Sequence, residues 1–203
     1  MPWEKNFDVD EARERAMRTF WTRGYDATSM QDLLAAMGIQ RGSFYDTFGS
    51  KREILLESLR RYDEARAASF AALASRHGPR GAVLALFRQV AVEGRDPEAP
   101  KGCLLVNCAG ELAPRDPDVA AAVNGAFGQT AAFFEGCLRE AVAGAEVRGD
   151  VDPVGVSRSL LALLLGLQVL VRAGAPRGQL DAVVRQAEAM LLVPPVRRRR
   201  SAV

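Results

Sequence analysis

Residues 28–55, TSMQDLLAAMGIQRGSFYDTFGSKREIL, decide how the first part of the chain folds. The stretch holds two short segments of helical periodicity that meet at Gly38, and glycine tolerates the positive φ that a sharp turn requires. Thr28 with Gln31 predicts a capping box at the start of the first helix, and the second covers about residues 40–48. Two short helices joined in this way form a helix-turn-helix.

The second helix of this motif has an apolar face and a polar face. Ile39, Phe44 and Phe48 are expected to pack inward, because they recur at helical spacing. The outer face then presents Gln40, Arg41, Ser43, Asp46 and Thr47. A recognition helix needs this alternation, and a short surface helix can show it as well.

The rest of the chain also has helical periodicity, and no stretch alternates cleanly between apolar and polar residues. We therefore expect an all-α fold of about nine helices. Asp8 predicts the start of a first helix that ends near Gly24, and Ser50 predicts the start of a long helix that ends near Ser75. The sequence His77-Gly78-Pro79 is expected to break the pattern before a fifth helix.

Composition divides the chain into three parts. Residues 1–49 are expected to form a three-helix domain with the helix-turn-helix, and residues 50–193 a larger helical domain. Two of its helices are predicted to start at Asp116-Pro117 and Asp152-Pro153, where a capping Asp precedes a proline. Residues 194–203 contain four consecutive arginines and are predicted to be a disordered basic tail.

Bulk composition restricts the function only weakly. The formal net charge is +2, and the four arginines of the tail exceed that total, so any nucleic-acid interface must rest on local placement. The three cysteines are too few for a disulfide scaffold. The N-terminus has no apolar core, and the most apolar run, Leu160–Val171, is short for a bilayer span. We expect a cytoplasmic protein with no membrane partner.

The helix that begins at Pro153 is apolar on nearly every side. With the amphipathic last helix beside it, it predicts a four-helix interface in a homodimer. The residues assigned to that interface are Leu160, Leu164, Leu167, Leu180, Val183, Val184, Ala187 and Leu191. A central core helix within a monomer is the alternative.

The helix-turn-helix stretch resembles the DNA-binding signature of the TetR family of bacterial transcriptional repressors, strongly so over about residues 8–60. The matching positions are Thr28, Gly38, Gly42, Ser43, Phe44, Tyr45, Phe48, Ser50, Lys51 and Glu53. The resemblance implies a homodimer that binds a near-palindromic operator in double-stranded DNA. It also implies a second domain that binds a small-molecule effector and thereby releases the DNA, without a cofactor or metal.

Roles at the DNA follow from the same resemblance. Thr28 or Ser29, at a helix N-terminus, is expected to contact a phosphate. Gln40 and Arg41 are expected to read an adenine and a guanine, respectively. Gly42 would let the helix approach the DNA closely.

Four further positions complete the predicted interface. Tyr45 and Lys51 are expected to contact backbone phosphates. Thr47 stands where the family commonly has His, so that contact would come from a hydroxyl group. Asp46 departs from the family as well; it could accept a hydrogen bond from a cytosine amine or, as we prefer, orient Arg41.

The second domain is expected to hold the effector in an apolar cavity with a few polar anchors. The residues assigned to it are Phe87, Cys103, Asn107, Phe127, Thr130, Phe134 and Gln168. Any one of the phenylalanines could instead be ordinary core.

Residues 102–119, GCLLVNCAGELAPRDPDV, resemble a motif of a TetR subgroup in which the cysteine after glycine responds to electrophiles or oxidants. Cys103 would lie at a helix N-terminus, where the helix dipole lowers a thiol pKa. Cys108 lies about 140° further around an ideal helix, so a disulfide between the two is not expected. A sensing thiol at Cys103 is one hypothesis and a small buried apolar residue is the other. Asn107 and Glu111 share its face and could bind a ligand or cap neighbouring helices.

The sequence contains few residues that could carry out enzymatic catalysis. The one histidine, His77, lies in the predicted break, and no glycine-rich phosphate loop follows a strand. No base is identifiable for a nucleophilic cysteine. We predict no catalytic residue and no metal site; an enzyme or a helical dimer that does not bind DNA is a distant alternative.

Overall fold

The computed structural model describes residues 7–191, and throughout that range the chain forms helices and no strand. The eight helices are α1 Val9–Arg23, α2 Met30–Met37, α3 Arg41–Phe48, α4 Lys51–Glu93, α5 Leu104–Glu111, α6 Pro117–Ala143, α7 Pro153–Arg172 and α8 Arg177–Met190. The all-α prediction is confirmed. The tail predicted at residues 194–203 lies outside the described residues.

The difference between eight helices and about nine lies in α4. Its residue Gly78 has φ 67° and ψ 176°, which is not helical, and Pro79 follows directly. The chain therefore kinks where the sequence predicts a break, and because the helical conformation resumes at Pro79 without an intervening loop, the two predicted helices are described as one bent element.

Four of the predicted N-caps form as expected. Asp8, Ser50, Asp116 and Asp152 each accept hydrogen bonds from backbone N–H groups in the first turn of the following helix. The cap of α2 corrects the prediction, because the box consists of Ser29 and Asp32 rather than Thr28 and Gln31.

Two apolar clusters organise the chain. The first joins α1, α2 and α3 to the start of α4, to α5 and to the start of α6, and its largest fully buried side chains include Phe20, Leu33, Phe44 and Leu104. The second lies between the end of α4 and helices α6, α7 and α8, around Phe87 and Phe134. The core beneath the helix-turn-helix thus continues past residue 49 into the larger part of the chain.

Helix α7 is apolar and only partly buried in the protomer. By length and composition it could cross a bilayer, and 28% of its most apolar window is buried. From the sequence, only the shorter run Leu160–Val171 is judged too short to span a bilayer. That judgement does not apply to α7 as a whole, which is long enough. One such helix is weak evidence for a membrane, since the core helix of a soluble protein can have the same length and composition.

Candidate nucleic-acid interface and ligand cavity

Helices α2 and α3 meet in a tight turn. Gly38 has φ 71° and donates its N–H to the carbonyl of Leu34, 3.0 Å away. The apolar face of α3 is anchored by Phe44 and Phe48, whose rings lie 5.6 Å apart between centroids and are buried. The turn and these two rings hold the opposite face of α3 towards solvent.

The outer face of α3 carries the predicted reading side chains. Gln40, Arg41, Tyr45 and Asp46 are exposed, whereas Ser43 and Thr47 are half-buried. Gly42 is also exposed, and a Cβ added there would meet nothing within 4 Å. A surface that lies against α3 can therefore approach its backbone at this residue.

The predicted contact from Asp46 to Arg41 is not formed among the described residues. The Arg41 guanidinium instead lies over the Tyr45 ring, 5.9 Å from its centroid. Stacking of this kind directs the guanidinium along the helix while its N–H groups face solvent.

Two side chains that were predicted to contact phosphates make hydrogen bonds within the protein. The Thr28 side chain is buried, and its hydroxyl donates to the carbonyl of Gly24 at 2.6 Å. The Lys51 ammonium donates to the carbonyl of Tyr25 at 2.6 Å and lies 4.1 Å from the centroid of that ring. Desolvation lowers the pKa of Lys51. Ser29 lies exposed at the N-terminus of α2, where its hydroxyl donates to the Asp32 carboxylate at 2.5 Å and accepts the Asp32 N–H at 3.1 Å.

A hydrogen-bonded junction connects α5 to the turn between α1 and α2. The Glu111 carboxylate accepts the N–H of Tyr25 at 3.1 Å and that of Asp26 at 2.7 Å. Arg115 pairs with the Asp26 carboxylate. Of the two roles open for Glu111, the structure therefore supports capping. Asn107 does not share this role: its buried amide nitrogen has no partner among the described residues.

A second connection joins α4 to α6. Arg52 donates to both carboxylate oxygens of Asp116, at 2.7 and 2.8 Å, and to Asp118 at 2.6 Å. The guanidinium lowers the pKa of Asp116 to about 2. This ion pair fixes the start of α4, directly after the helix-turn-helix, to the N-terminus of α6.

A cavity of about 320 Å³ lies between α1, α4, α5, α6 and α7. Four of the seven predicted residues line it: Cys103, Phe127, Thr130 and Gln168. The other three do not. Phe87 and Phe134 are fully buried in the second apolar cluster, with ring centroids 6.1 Å apart, and Asn107 is absent from the lining.

The wall of this cavity includes a residue that the sequence analysis missed. Trp21 of α1 lines it, and also lines an adjoining cavity of about 280 Å³. The Trp21 indole N–H donates to the carbonyl of Gly102 at 3.0 Å, and its own carbonyl accepts from Arg172 of α7 at 2.9 Å. The sequence offered one weak signal, a large aromatic residue that falls beside rather than within the apolar stripe of α1.

The thiol of Cys103 faces the cavity at the N-cap of α5, as predicted, and is 6% exposed. It lies close to the phenol of Tyr62, whose pKa is raised well above its ordinary value by burial and, secondarily, by Cys103. All three cysteines are free and buried. Burial raises the pKa of Cys108 to about 12 and that of Cys137 to about 11, which disfavours the reactive thiolate form of both.

The predicted dimer residues are mostly inside the protomer. Six of them are buried in its own second cluster: Leu160, Leu164, Leu167, Leu180, Ala187 and Leu191. Val183 and Val184 are half-buried. This corrects the assignment, because side chains that fill the core of one protomer have little surface left for a second. The outer face of α7 leaves apolar surface open, with Val169 54% exposed.

Two family descriptions match the chain. "Bacterial regulatory proteins, tetR family" matches residues 13–58, and "Tetracyclin repressor-like, C-terminal domain" matches residues 80–187. The chain is 36% identical to the uncharacterized HTH-type transcriptional regulator YezE of Bacillus subtilis (strain 168), over 87% of this chain and 92% of that protein. It is 28% identical to the HTH-type transcriptional repressor ComR of Escherichia coli (strain K12), over 84% of this chain and 82% of the repressor.

Solved structures agree with these matches. A cysteine mutant of the TetR family transcriptional regulator CifR, complexed with double-strand operator DNA, has a TM-score of 0.80 and 32% identity, over 90% of this chain and 96% of that chain. The reduced form of E. coli NemR has a TM-score of 0.81, over 92% of this chain and 100% of that chain. Its 21% identity limits that likeness to the fold.

Proposed function

The chain belongs to the TetR family of DNA-binding transcriptional regulators, and we propose that it is a repressor released from its operator by a small molecule. One observation carries the proposal: the same cavity is lined by α1, which packs against α2 of the helix-turn-helix, and by α4 to α7 of the larger part. A molecule in that cavity would contact both parts directly. A regulator of this family is not an enzyme, and we place it in the cytoplasm.

At the DNA, α3 would lie in the major groove. Arg41 is suited to a bidentate contact with guanine and Gln40 to adenine, since both side chains are exposed at the N-terminal end of α3. Tyr45 and the N-terminus of α2 at Ser29 would contact phosphates. The exposed Gly42 leaves room for close approach. Asp46 lies on the same face and would disfavour phosphate nearby, which supports a base contact there.

The functional unit would be a homodimer that binds a near-palindromic operator. Regulators of this family bind operators as dimers, and the CifR complex contains operator DNA. In this chain the outer face of α7 supplies the surface, because it is apolar and largely open in the protomer. Two protomers joined there would present two reading helices to successive major grooves.

Release would follow from different affinities of the effector for two arrangements of the helix-turn-helix. A ligand that contacts Trp21 would contact α1 directly. A second route runs through α5, which lines the cavity and whose Glu111 accepts hydrogen bonds from the turn before α2. A molecule that binds better when these contacts are rearranged shifts the population away from the DNA-competent state.

A second candidate is a thiol sensor on the same scaffold. It is favoured by one observation, the thiol of Cys103 at the N-cap of a helix and on the cavity wall. An electrophile in the cavity would then attach covalently to sulfur, with loss of the thiol proton.

The test is selection of operator DNA from random duplexes with purified protein, with and without N-ethylmaleimide. A recovered near-palindrome supports the regulator, and no enrichment at moderate salt overturns it. Loss of binding on treatment, with binding retained in a Cys103→Ser variant, favours the thiol sensor. An unchanged operator affinity after alkylation favours a reversible effector.

A further inference from the structure

Within residues 7–191 the cavity has two charged side chains, one exposed to solvent and one mostly buried. Among the described residues, Arg66 and Glu93 are the charged side chains that line it. Glu93 is exposed near the end of α4 and accepts a hydrogen bond from the Gln89 amide at 2.7 Å. Its charge is therefore solvated, and the interior electrostatics depend on Arg66.

The Arg66 guanidinium is neutralised within the protein. It pairs with the Asp63 carboxylate, and both side chains are mostly buried, at 16% and 20% exposure. Its Nε–H and one Nη2–H donate to Asp63, the second Nη2–H donates to the carbonyl of Ala126 at 2.9 Å, and Nη1 donates to the Thr130 hydroxyl. A guanidinium has five N–H groups. One hydrogen on Nη1 is left for a ligand.

The other polar groups on the wall carry no charge. Burial keeps the Tyr62 phenol protonated, because it raises the pKa of that group. The Gln168 amide makes no side-chain hydrogen bond to the described residues and faces both cavities. The remaining lining is largely aromatic and aliphatic, with Trp21 and Tyr62 packed edge to face at 4.9 Å.

We propose that this cavity selects uncharged, mostly apolar molecules with a hydrogen-bond acceptor such as a carbonyl, and that Asp63 determines the selectivity by neutralising Arg66. The inference rests on the proposed effector role of the cavity. An anion would add a second negative charge beside Asp63 in a poorly solvated space, and a cation would face Arg66. A carbonyl oxygen can accept the free N–H of Arg66 or of Gln168 at no such cost.

Two fluorescent probes of nearly the same size test this inference. Prodan is an uncharged naphthyl ketone, and its matched anion is the naphthoate in which a carboxylate replaces the ketone. The full chain is used with Trp3→Phe, which leaves Trp21 as the one tryptophan of two in the sequence. Energy transfer from Trp21 to the probe reports binding at the cavity. We expect prodan to bind at least about tenfold more tightly than the naphthoate.

Variants of Asp63 separate charge from shape. Asp63→Asn leaves the guanidinium unpaired, so the preference should reverse in favour of the naphthoate. Glu64→Gln is the matched control, since it removes one negative charge from the adjacent residue, whose partner Arg60 is on the exposed face of α4. The double variant Asp63→Asn/Arg66→Gln has no charge at this site and should keep the preference for prodan. Circular dichroism establishes that each variant is folded.

The outcomes are distinct. Equal or tighter binding of the naphthoate to the Trp3→Phe protein overturns the inference, and so does the absence of prodan binding. An unchanged preference in folded Asp63→Asn overturns the role of Asp63; if that variant does not fold, reversal is sought in Asp63→Ser. Selective binding of prodan without any effect on operator affinity supports the inference and counts against the proposed release mechanism instead.

Discussion

The junction between Glu111 and the α1–α2 turn predicts a specific loss of stability in Glu111→Gln. The carboxylate accepts two backbone N–H groups, those of Tyr25 and Asp26. Glutamine has nearly the same shape but one acceptor oxygen and no charge. The variant can therefore accept only one of the two N–H groups, and that remaining hydrogen bond is no longer strengthened by a charge.

The magnitude follows from typical hydrogen-bond energies. A bond to a charged group contributes about 1.5–3 kcal/mol and a neutral one about 0.5–1.5 kcal/mol. Exchanging two charge-assisted bonds for one neutral bond would cost about 2.5–4.5 kcal/mol in full, but the bond to Asp26 is exposed and the other only partly buried, so we expect about 1–2 kcal/mol. For a chain of this size that corresponds to a fall in Tm of about 2–8 °C.

Urea unfolding at fixed protomer concentration measures the loss, and hydrogen exchange locates it. The amides of Tyr25 and Asp26 should exchange faster in Glu111→Gln, because they are the groups released. Glu14→Gln is the control, since Glu14 is exposed on α1 and its side chain makes no hydrogen bond or ion pair within residues 7–191. A Glu111→Gln variant as stable as this control, with unchanged exchange at both amides, would refute the reasoning.

Three further predictions concern the reading helix and its support. Arg41→Ala should weaken operator binding by about 1–3 kcal/mol and relax specificity at one base pair, as measured by titration against operator variants, whereas Arg60→Ala should leave the specificity unchanged. Phe44→Ala should destabilise the fold by about 3–5 kcal/mol in urea unfolding, because the ring is fully buried; a cost below 1 kcal/mol would contradict the packing. The pKa of Asp116 is lowered from 3.8 to about 2 in the folded protein, so its pair with Arg52 stabilises fully above pH 4 and the contribution is lost as the pH falls through 2. Asp116→Asn should remove this acid-dependent part of the free energy of unfolding. A variant whose stability depends on pH as that of the unchanged protein does would contradict the prediction.

Local signals predicted the helices well. Asp8, Ser50, Asp116 and Asp152 cap as expected because an N-cap bond closes within three residues and needs no tertiary partner. The exception is the cap of α2. Two adjacent hydroxyl residues could both serve there, and burial of the first against Gly24 leaves the role to the second.

In the apolar helices, the periodicity of the sequence does not predict which side chains face the core. In α7 apolar residues surround the axis, so the sequence could not indicate which leucines face the protomer core and which face outward. Packing against α6 and α8 decides this, and it turns Leu160, Leu164 and Leu167 inward. The same limit applies to Phe87 and Phe134, which the sequence could assign equally to a cavity or to the core.

The sequence by itself determined the all-α class, the helix-turn-helix with its polar outer face, the bend at Gly78 and the family. Each of these depends on residues within a few positions of one another, where propensity, capping and spacing act directly. Only the tertiary structure decided that Trp21 lines the cavity, that Glu111 caps a turn more than 80 residues earlier, and that Asp63 neutralises a cationic group on the cavity wall. These features depend on how one helix is rotated against another, because that rotation selects which side chains meet across the interface and which remain free to bind a ligand.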